Sequence, residues 1–277
     1  MVQRYLIAVD LDGTLLTDDK RISTYTKLTI QKLKDMGHYV VIATGRSNRM
    51  SILYYDELGL NTPLINSNGA FIHHPTNRSW GVYHHPLDLK TAKDIVEISY
   101  ALQSENLLAA IEDNVIVDRF DENIVKFYES GSDTGQLMLG PLKDKLNEEP
   151  TLMLIYPNLK TLDRLEKYLD ETHSHHVDHR NWGSPFHIIE VMNKSMNKAI
   201  AVKKVADYYQ IPRERIIAFG DEKNDLHMIE FAGIGVAMEN GVEEVKNIAD
   251  HITKSNEEDG VAVFLADYFN LRQKIQV

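Results

Sequence analysis

The sequence predicts an α/β fold: a doubly wound, parallel-sheet core of Rossmann-like type, interrupted by a smaller inserted α/β domain. Three observations lead there. Short runs that are apolar at every position open the chain and return near its end, each next to a helix-compatible stretch. Such runs read as strands buried on both faces, and strands alternating with helices read as parallel βαβ units. Three of the runs stop abruptly, in carboxylates or in a Thr-Gly pair. The middle of the chain breaks the alternation and reads as a separate mixture of helices and a hairpin.

In order along the chain, Tyr5-Leu6-Ile7-Ala8-Val9 is the first buried strand. A helix follows over residues 23–36, with Ser23 as its N-cap and Gly37 to stop it. Tyr39-Val40-Val41-Ile42-Ala43 gives a second strand, residues 47–58 a helix closed by Gly59, and Pro63-Leu64-Ile65-Asn66 a third strand. The same grammar returns late: a helix at 195–209, the strand Ile216-Ile217-Ala218-Phe219, a helix at 224–231, the strand Ile234-Gly235-Val236-Ala237-Met238 and a helix at 261–269. Between them stand a helix at 88–104, a hairpin at 107–112 and 114–118, a loop at 131–140, a strand at 151–156 and a helix at 159–172. His85-Pro86 and Gly183-Ser184-Pro185 are loop-like and mark the expected hinges. The domain reading is a core of residues 1–83 and 190–277 around an insert of residues 84–189.

Composition narrows the function. The chain has 277 residues, 43% hydrophobic and 26% charged, with a formal net charge of −11. That acidity argues against sequence-independent nucleic-acid binding, which needs lysine and arginine to neutralise phosphates. It leaves room for a small phosphorylated ligand, because a bound cation and local donors override the overall field. There are no cysteines, so disulfides, thiolate nucleophiles and cysteine-held metals are excluded. The first apolar run is short and ends in Asp10, unlike a signal peptide, and no stretch approaches the ~20 apolar residues of a membrane span. The expected location is the cytoplasm.

The chemistry sits at the strand ends, where open α/β sheets bind ligands. The first strand runs straight into Asp10-Leu11-Asp12-Gly13-Thr14. Asp10 and Asp12, two apart in extended chain, would face the same way and repel unless a cation or a proton intervenes; Mg²⁺, with its preference for hard oxygen ligands, is the natural answer. Alone, the segment also reads as a solvated acidic turn. The second strand ends in Thr44-Gly45-Arg46, where a hydroxyl and free N–H groups could grip phosphate, although Thr44 or Ser47 could equally be a helix cap. Asn66-Ser67-Asn68-Gly69 is first a turn signal. The late strand ends in Gly220-Asp221-Glu222-Lys223-Asn224-Asp225. Asp221 and Asp225, four apart, would share a helical face; an acid-rich helix start accounts for Glu222 but not for Asp221 at the end of an apolar strand. Four carboxylates and a phosphate dianion exceed what one Mg²⁺ neutralises, so a side-chain cation is needed. Lys198, on the helix before that strand, is the candidate and Lys194 its competitor.

In this order and context the four motifs, Asp10 to Thr14, Thr44 to Arg46, Lys198, and Gly220 to Asp225, resemble the haloacid dehalogenase superfamily, and within it the Cof-type phosphatases with a C2-type cap inserted after the second motif. The resemblance covers essentially the whole chain. One departure is Ala199, where relatives commonly carry glycine after the lysine. The resemblance implies an Mg²⁺-dependent phosphatase of small phosphorylated metabolites, sugar phosphates foremost, working through an aspartyl-phosphate. It implies Asp10 as nucleophile and Asp12 as general acid and base. Metal ligands would be Asp10, the Asp12 carbonyl and Asp221, with Asp225 beside them. Leu11, Thr44, Gly45, Lys198 and Asn224 would hold the phosphoryl group, and Arg46 would contact substrate. A phosphomutase using the same intermediate, and a sensor that kept the pocket without turnover, are the competing readings. In the cap, His173-Ser174-His175-His176-Val177-Asp178-His179 lacks a fixed ligand spacing and reads as a polar strand or loop, and Arg180-Asn181-Trp182 as a loop able to offer donors and an aromatic face.

Overall fold

The structure, a computed structural model, describes residues 3–271. Its contacts divide the chain into two units. Among the described residues, the first takes residues 3–46, Leu53–Val82 and residues 197–271; the second takes Ser47–Ile52 and Tyr83–Met196.

The first unit is built on a five-stranded sheet in the order His251–Ile252, Ile234–Ala237, Ile216–Gly220, Leu6–Val9, Tyr39–Ile42. All four pairings are parallel. Ala43 adds an isolated parallel bridge to Ile65, which leads to the short strand Leu64–Asn66. Leu6, Ile7, Ala8 and Val9 are wholly buried, as are Ile217, Ala218 and Phe219. That explains why these runs lack polar alternation: both faces of the sheet are covered. The strand Leu6–Val9 is the point of divergence. The next strand, Tyr39–Ile42, lies on one side of it, and Ile216–Gly220 lies on the other. In open α/β sheets the carboxyl ends of the strands beside such a divergence are where ligands bind. The helix Thr24–Asp35 is capped as its sequence demands, the Ser23 hydroxyl accepting from the Thr26 N–H at 3.0 Å.

The second unit has a six-stranded sheet in the order Val177–Asn181, Ile189–Asn193, Leu152–Tyr156, Asn106–Ile111, Asn114–Val117, Leu137–Leu139. Its pairings are antiparallel except the last. One face, including Leu107, Ala109, Met153, Ile155 and Val191, packs in one apolar cluster with Ile95 and Val96 of the helix Leu89–Ala101 and Leu165 of the helix Leu162–Tyr168. The other face carries Leu108, Ala110, Val115, Leu152 and Leu154, with Ile124 of the helix Glu122–Glu129. This is the period-2 division of a sheet with two different faces.

Several sequence expectations change here. The insert does not end at residue 189. The strand Ile189–Asn193 is an inner strand of the second unit's sheet, between Val177–Asn181 and Leu152–Tyr156, so that unit runs to Met196. An apolar strand reads alike whichever sheet takes it, and only its partners decide. For the same reason Gly183-Ser184-Pro185 is no hinge; it connects two paired strands of one sheet. Residues 47–52 also fall in the second unit, where Asn48 donates to Asp113 and Arg49 donates to the carbonyls of Tyr128, Ser132 and Thr134. The expected loop at 131–140 contains the strand Leu137–Leu139, and Arg180 and Asn181 belong to a strand rather than a loop. Among the described residues no helix is long and apolar enough to cross a membrane.

Candidate active site

The strand Leu6–Val9 ends in Asp10, whose N–H is still bonded to the Phe219 carbonyl of the neighbouring strand at 3.2 Å. Asp10 is buried, and Lys198 Nζ donates to its Oδ1 at 2.8 Å. Lys198 opens the helix Lys198–Tyr209, for which Asn197 is the N-cap, and is completely enclosed. Its ammonium also donates to Asp225 Oδ1 at 2.7 Å. The competing lysine, Lys194, instead donates to the Ser174 carbonyl at 2.7 Å from an exposed position.

Asp225 is held from its other oxygen. The N–H groups of Asp221 and Glu222 both donate to Oδ2, at 3.1 and 3.2 Å. This is one half of a capping box at the start of the short helical turn Lys223–Asp225, which explains why the late motif packs acids so closely. Asp221 is positioned by the Thr14 hydroxyl, which donates to its Oδ1 at 2.7 Å. Gly13 makes that approach possible: its backbone lies in the left-handed region at φ +70°, and a Cβ there would stand 2.2 Å from Asp221 Oδ2.

Asp10, Asp221 and Asp225 thus converge, with one oxygen of each within 4.8 Å of the others. Three buried carboxylates share one buried ammonium. Burial pushes Asp10 up to about 7, against the pull of Lys198 and with Asp225 adding to the rise. Asp221 is pushed to about 8 by burial and by the charges of Asp10 and Asp225. Lys198 is raised above the usual lysine value because its two carboxylate partners outweigh its burial. The negative charge in the nest is therefore under-compensated. Its donor set is all carboxylate oxygen, with no imidazole or thiolate, which suits a small hard divalent cation.

Asp12 differs sharply. Its side chain is 43% exposed and is gripped by two cations. Arg46 Nε donates to Oδ2 at 2.6 Å, Arg46 Nη2 to Oδ1 at 2.7 Å, and Lys20 Nζ to Oδ1 at 2.7 Å. Against a desolvation effect of opposite sign, these donors hold the carboxyl down at about 2. Thr44 is buried at the end of Tyr39–Ile42, its N–H bonded to the Ile65 carbonyl and its Oγ1 accepting from the Arg46 N–H at 3.1 Å. Leu11 is fully buried, so only its backbone can serve the site. Asn224 Nδ2 donates to Asn68 Oδ1 at 2.8 Å, while Asn224 Oδ1 is buried without a hydrogen-bond partner among the described residues. Gly45 lies against the same two amides, an added Cβ meeting Asn68 Oδ1 at 3.3 Å and Asn224 Nδ2 at 3.7 Å.

Asp10, Leu11, Asp12, Thr44, Gly45, Arg46, Lys198, Asp221, Asn224 and Asp225 thus all lie in the first unit, and all but Lys198 follow the carboxyl ends of three neighbouring parallel strands. Two participants were not singled out. Thr14 stood within the first motif but carried no signal beyond adjacency. Lys20 had none, since a lysine in a polar loop is ordinarily solvated. In the second unit the notable polar side chains pair among themselves: Arg180 Nη2 with Glu190 Oε2 at 3.2 Å, His173 with Asp94 at 2.7 Å and His179 with Asp170 at 3.0 Å.

Comparison with known proteins agrees with this geometry. Residues 7–265 match the family of haloacid dehalogenase-like hydrolases. A Bacillus subtilis (strain 168) protein, 5-amino-6-(5-phospho-D-ribitylamino)uracil phosphatase YitU, is 50% identical over 267 residues, spanning 96% of this chain and 98% of its own. A second B. subtilis protein with the same activity name, YwtE, is 31% identical over 281 residues, spanning 94% and 96%. A crystal structure from Thermotoga maritima superposes with a TM-score of 0.81 at 29% identity, covering 99% of this chain and 98% of that one. The chain therefore belongs to the haloacid dehalogenase-like hydrolases and is a phosphatase of that family.

Proposed function

We propose that the protein hydrolyses the phosphate monoester of a primary alcohol on a polyhydroxylated carbon chain, with 5-amino-6-(5-phospho-D-ribitylamino)uracil as the first candidate substrate. The mechanism rests on one observation: a lysine-held aspartate and two further buried carboxylates converge at the carboxyl ends of two paired parallel strands. The substrate rests on the activity named for the relative that is 50% identical over nearly the full chain. The wider expectation of sugar phosphates is kept in part, because a ribityl phosphate presents the same kind of leaving group, a primary alkoxide.

In this reading Lys198 fixes Asp10 through Oδ1, and Asp10 Oδ2 attacks phosphorus in line. The Asp10–phosphorus bond forms as the bond to the leaving oxygen breaks, and Asp12 gives that oxygen a proton. Asp12 then takes a proton from water, whose oxygen bonds to phosphorus and releases Asp10. Lys198 offsets charge on the transferring group, while Thr44, the Asn224 amide and the backbone about Leu11 and Gly45 orient its oxygens. Asp10, Asp221 and the Asp12 carbonyl would hold Mg²⁺, with Asp225 adjacent. When bound, the ion would offset the repulsion between the carboxylate nucleophile and a phosphate dianion. Asp12 is ionised as it stands, the form needed for the second step; in the first step it must carry a proton, so an oxygen now bonded to Arg46 has to be released.

The test is phosphate release from the ribitylaminouracil phosphate, ribose 5-phosphate, a nucleoside monophosphate and a small acyl phosphate, with and without Mg²⁺. We expect the highest kcat/KM for the first. A nucleotide or acyl phosphate ranking first would overturn the substrate. Transfer of phosphate to a second hydroxyl, without free phosphate, would replace the hydrolase by a mutase, and binding without turnover would favour a sensor.

A further inference from the structure

Lys20 belongs to none of the motifs, yet its ammonium lies 2.7 Å from Asp12 Oδ1. Its surroundings are organised for that contact. Lys20 sits in a loop closed by the Thr17 N–H to the Arg21 carbonyl at 3.0 Å and by the Lys20 N–H to the Thr17 carbonyl at 2.9 Å. Its backbone adopts φ +62°, a left-handed conformation that a residue with a Cβ enters only when its surroundings enforce it. The Tyr54 hydroxyl donates to the Lys20 carbonyl at 3.3 Å, and the ring of the same tyrosine lies 5.3 Å from the Arg46 guanidinium. One aromatic side chain thus braces the carriers of both cations that grip Asp12.

The two cations grip it differently. Arg46 spans the carboxylate, its Nε on Oδ2 and its Nη2 on Oδ1, whereas Lys20 bonds Oδ1. A group that exchanges a proton with a leaving oxygen needs one oxygen open on that side and the other fixed. Arg46 in its present fork covers both. Lys20 can stay in place while Oδ2 carries the proton. We infer that Lys20 is a positioning residue for the acid–base carboxylate: it holds Asp12 through Oδ1 and keeps Oδ2 aimed at the leaving oxygen once Arg46 gives up its fork. The inference rests on the proposed reading of Asp10 and Asp12. It adds a residue that acts through Asp12 and touches no reacting atom.

Aim matters because proton transfer needs hydrogen-bond reach, and the half-exposed Asp12 side chain keeps its Lys20 bond when the two Arg46 bonds are given up. The requirement depends on the leaving group. An alkoxide needs a proton as it departs; p-nitrophenolate hardly does. The experiment compares kcat/KM of wild type and Lys20→Met on ribose 5-phosphate and on p-nitrophenyl phosphate, with Mg²⁺ present. Because kcat/KM covers steps only through departure of the leaving group, the later hydrolysis of the aspartyl-phosphate does not blur it. We expect the alkyl-to-aryl ratio to fall about ten-fold or more, part of the ~10²–10⁴ that a positioned acid supplies, with an unchanged melting temperature. Equal losses on both substrates would make Lys20 a phosphate contact or a structural residue, and overturn the inference. An unchanged ratio overturns it too, as does a rising one, which would mean that Lys20 withholds the proton. Asp10→Asn is assayed alongside: if that variant still releases phosphate, the underlying mechanism fails whatever Lys20 does.

Discussion

Asp10 and Asp12 are two residues apart and live in opposite worlds. Asp10 is buried among Asp221 and Asp225 with one ammonium for the three carboxylates, and burial carries it up to about 7. Asp12 is half in solvent between an arginine and a lysine, and those cations carry it down to about 2. The difference shows how one strand end can supply two chemistries. The interior position gathers excess negative charge suited to a cation and a fixed nucleophile. The rim position can meet solvent and exchange protons. Alternation of the chain at the end of the strand is not enough to produce this; the partners are, and they come from other strands and helices.

The sharpest way to break the comparison is to exchange the interior carboxylate for its amide. Asp10→Asn should cost about 10⁴-fold or more in kcat, as removal of a nucleophile does elsewhere, without lowering the melting temperature, because it relieves a crowded nest. Wild-type kcat in that variant would move the nucleophile elsewhere. Lys198→Met comes next. It should lower kcat by about 10²–10³-fold, and it should destabilise the metal-free protein by about 3 kcal/mol or more, because it strands buried carboxylates; denaturant melts of both proteins read this directly. Thr14→Val, which deletes the 2.7 Å bond to Asp221, should weaken Mg²⁺ activation about ten-fold, the usual scale for loss of a group that orients a metal ligand. A Mg²⁺ titration that superposes on wild type would remove Thr14 from that role.

The smallest effect is on stability and has opposite signs in the two environments. Asp10 and Asp221 titrate near 3.8 in an unfolded chain and at about 7 and 8 here. Between those values the folded state binds more protons, so their contribution makes the metal-free protein less stable as pH rises from about 4 to 8. Asp12 has its pKa depressed to about 2. Its stabilisation is present above 3.8 and is lost as pH falls through about 2. Added Mg²⁺ should therefore raise the melting temperature more at pH 8 than at pH 5. Equal gains at both would mean that the interior nest is not where the ion binds.

The parallel core was legible because both faces of its sheet are covered. Runs such as Leu6 to Val9 carry no polar residue at all, and the reactive groups follow at the strand ends. The nest was legible in its members, since Asp10, Asp221 and Asp225 each stand at or just beyond such an end. The second unit was harder to delimit. Ile189 to Asn193 has the same apolar texture as a core strand, and its assignment depends on pairing with Leu152–Tyr156 and Val177–Asn181.

What the sequence determined by itself was local: which segments could be strands, that their ends carry carboxylates, and that Gly13 permits a turn there. The preference for Lys198 over Lys194 already came from the family resemblance; the tertiary structure alone decided the enclosure of Lys198 against Asp10 and Asp225, the reach of Thr14 to Asp221, and the closing of Lys20 and Arg46 on Asp12. The contacts to Asp10, Asp221 and Asp12 join residues 188, 207, 8 and 34 positions apart. At such separations neither the period of a strand nor that of a helix relates two side chains. Lysine is the plainest case: by local pattern a lysine resembles a solvated surface residue, the resemblance picked out Lys198 by its place among the motifs, and the structure shows it buried against two carboxylates.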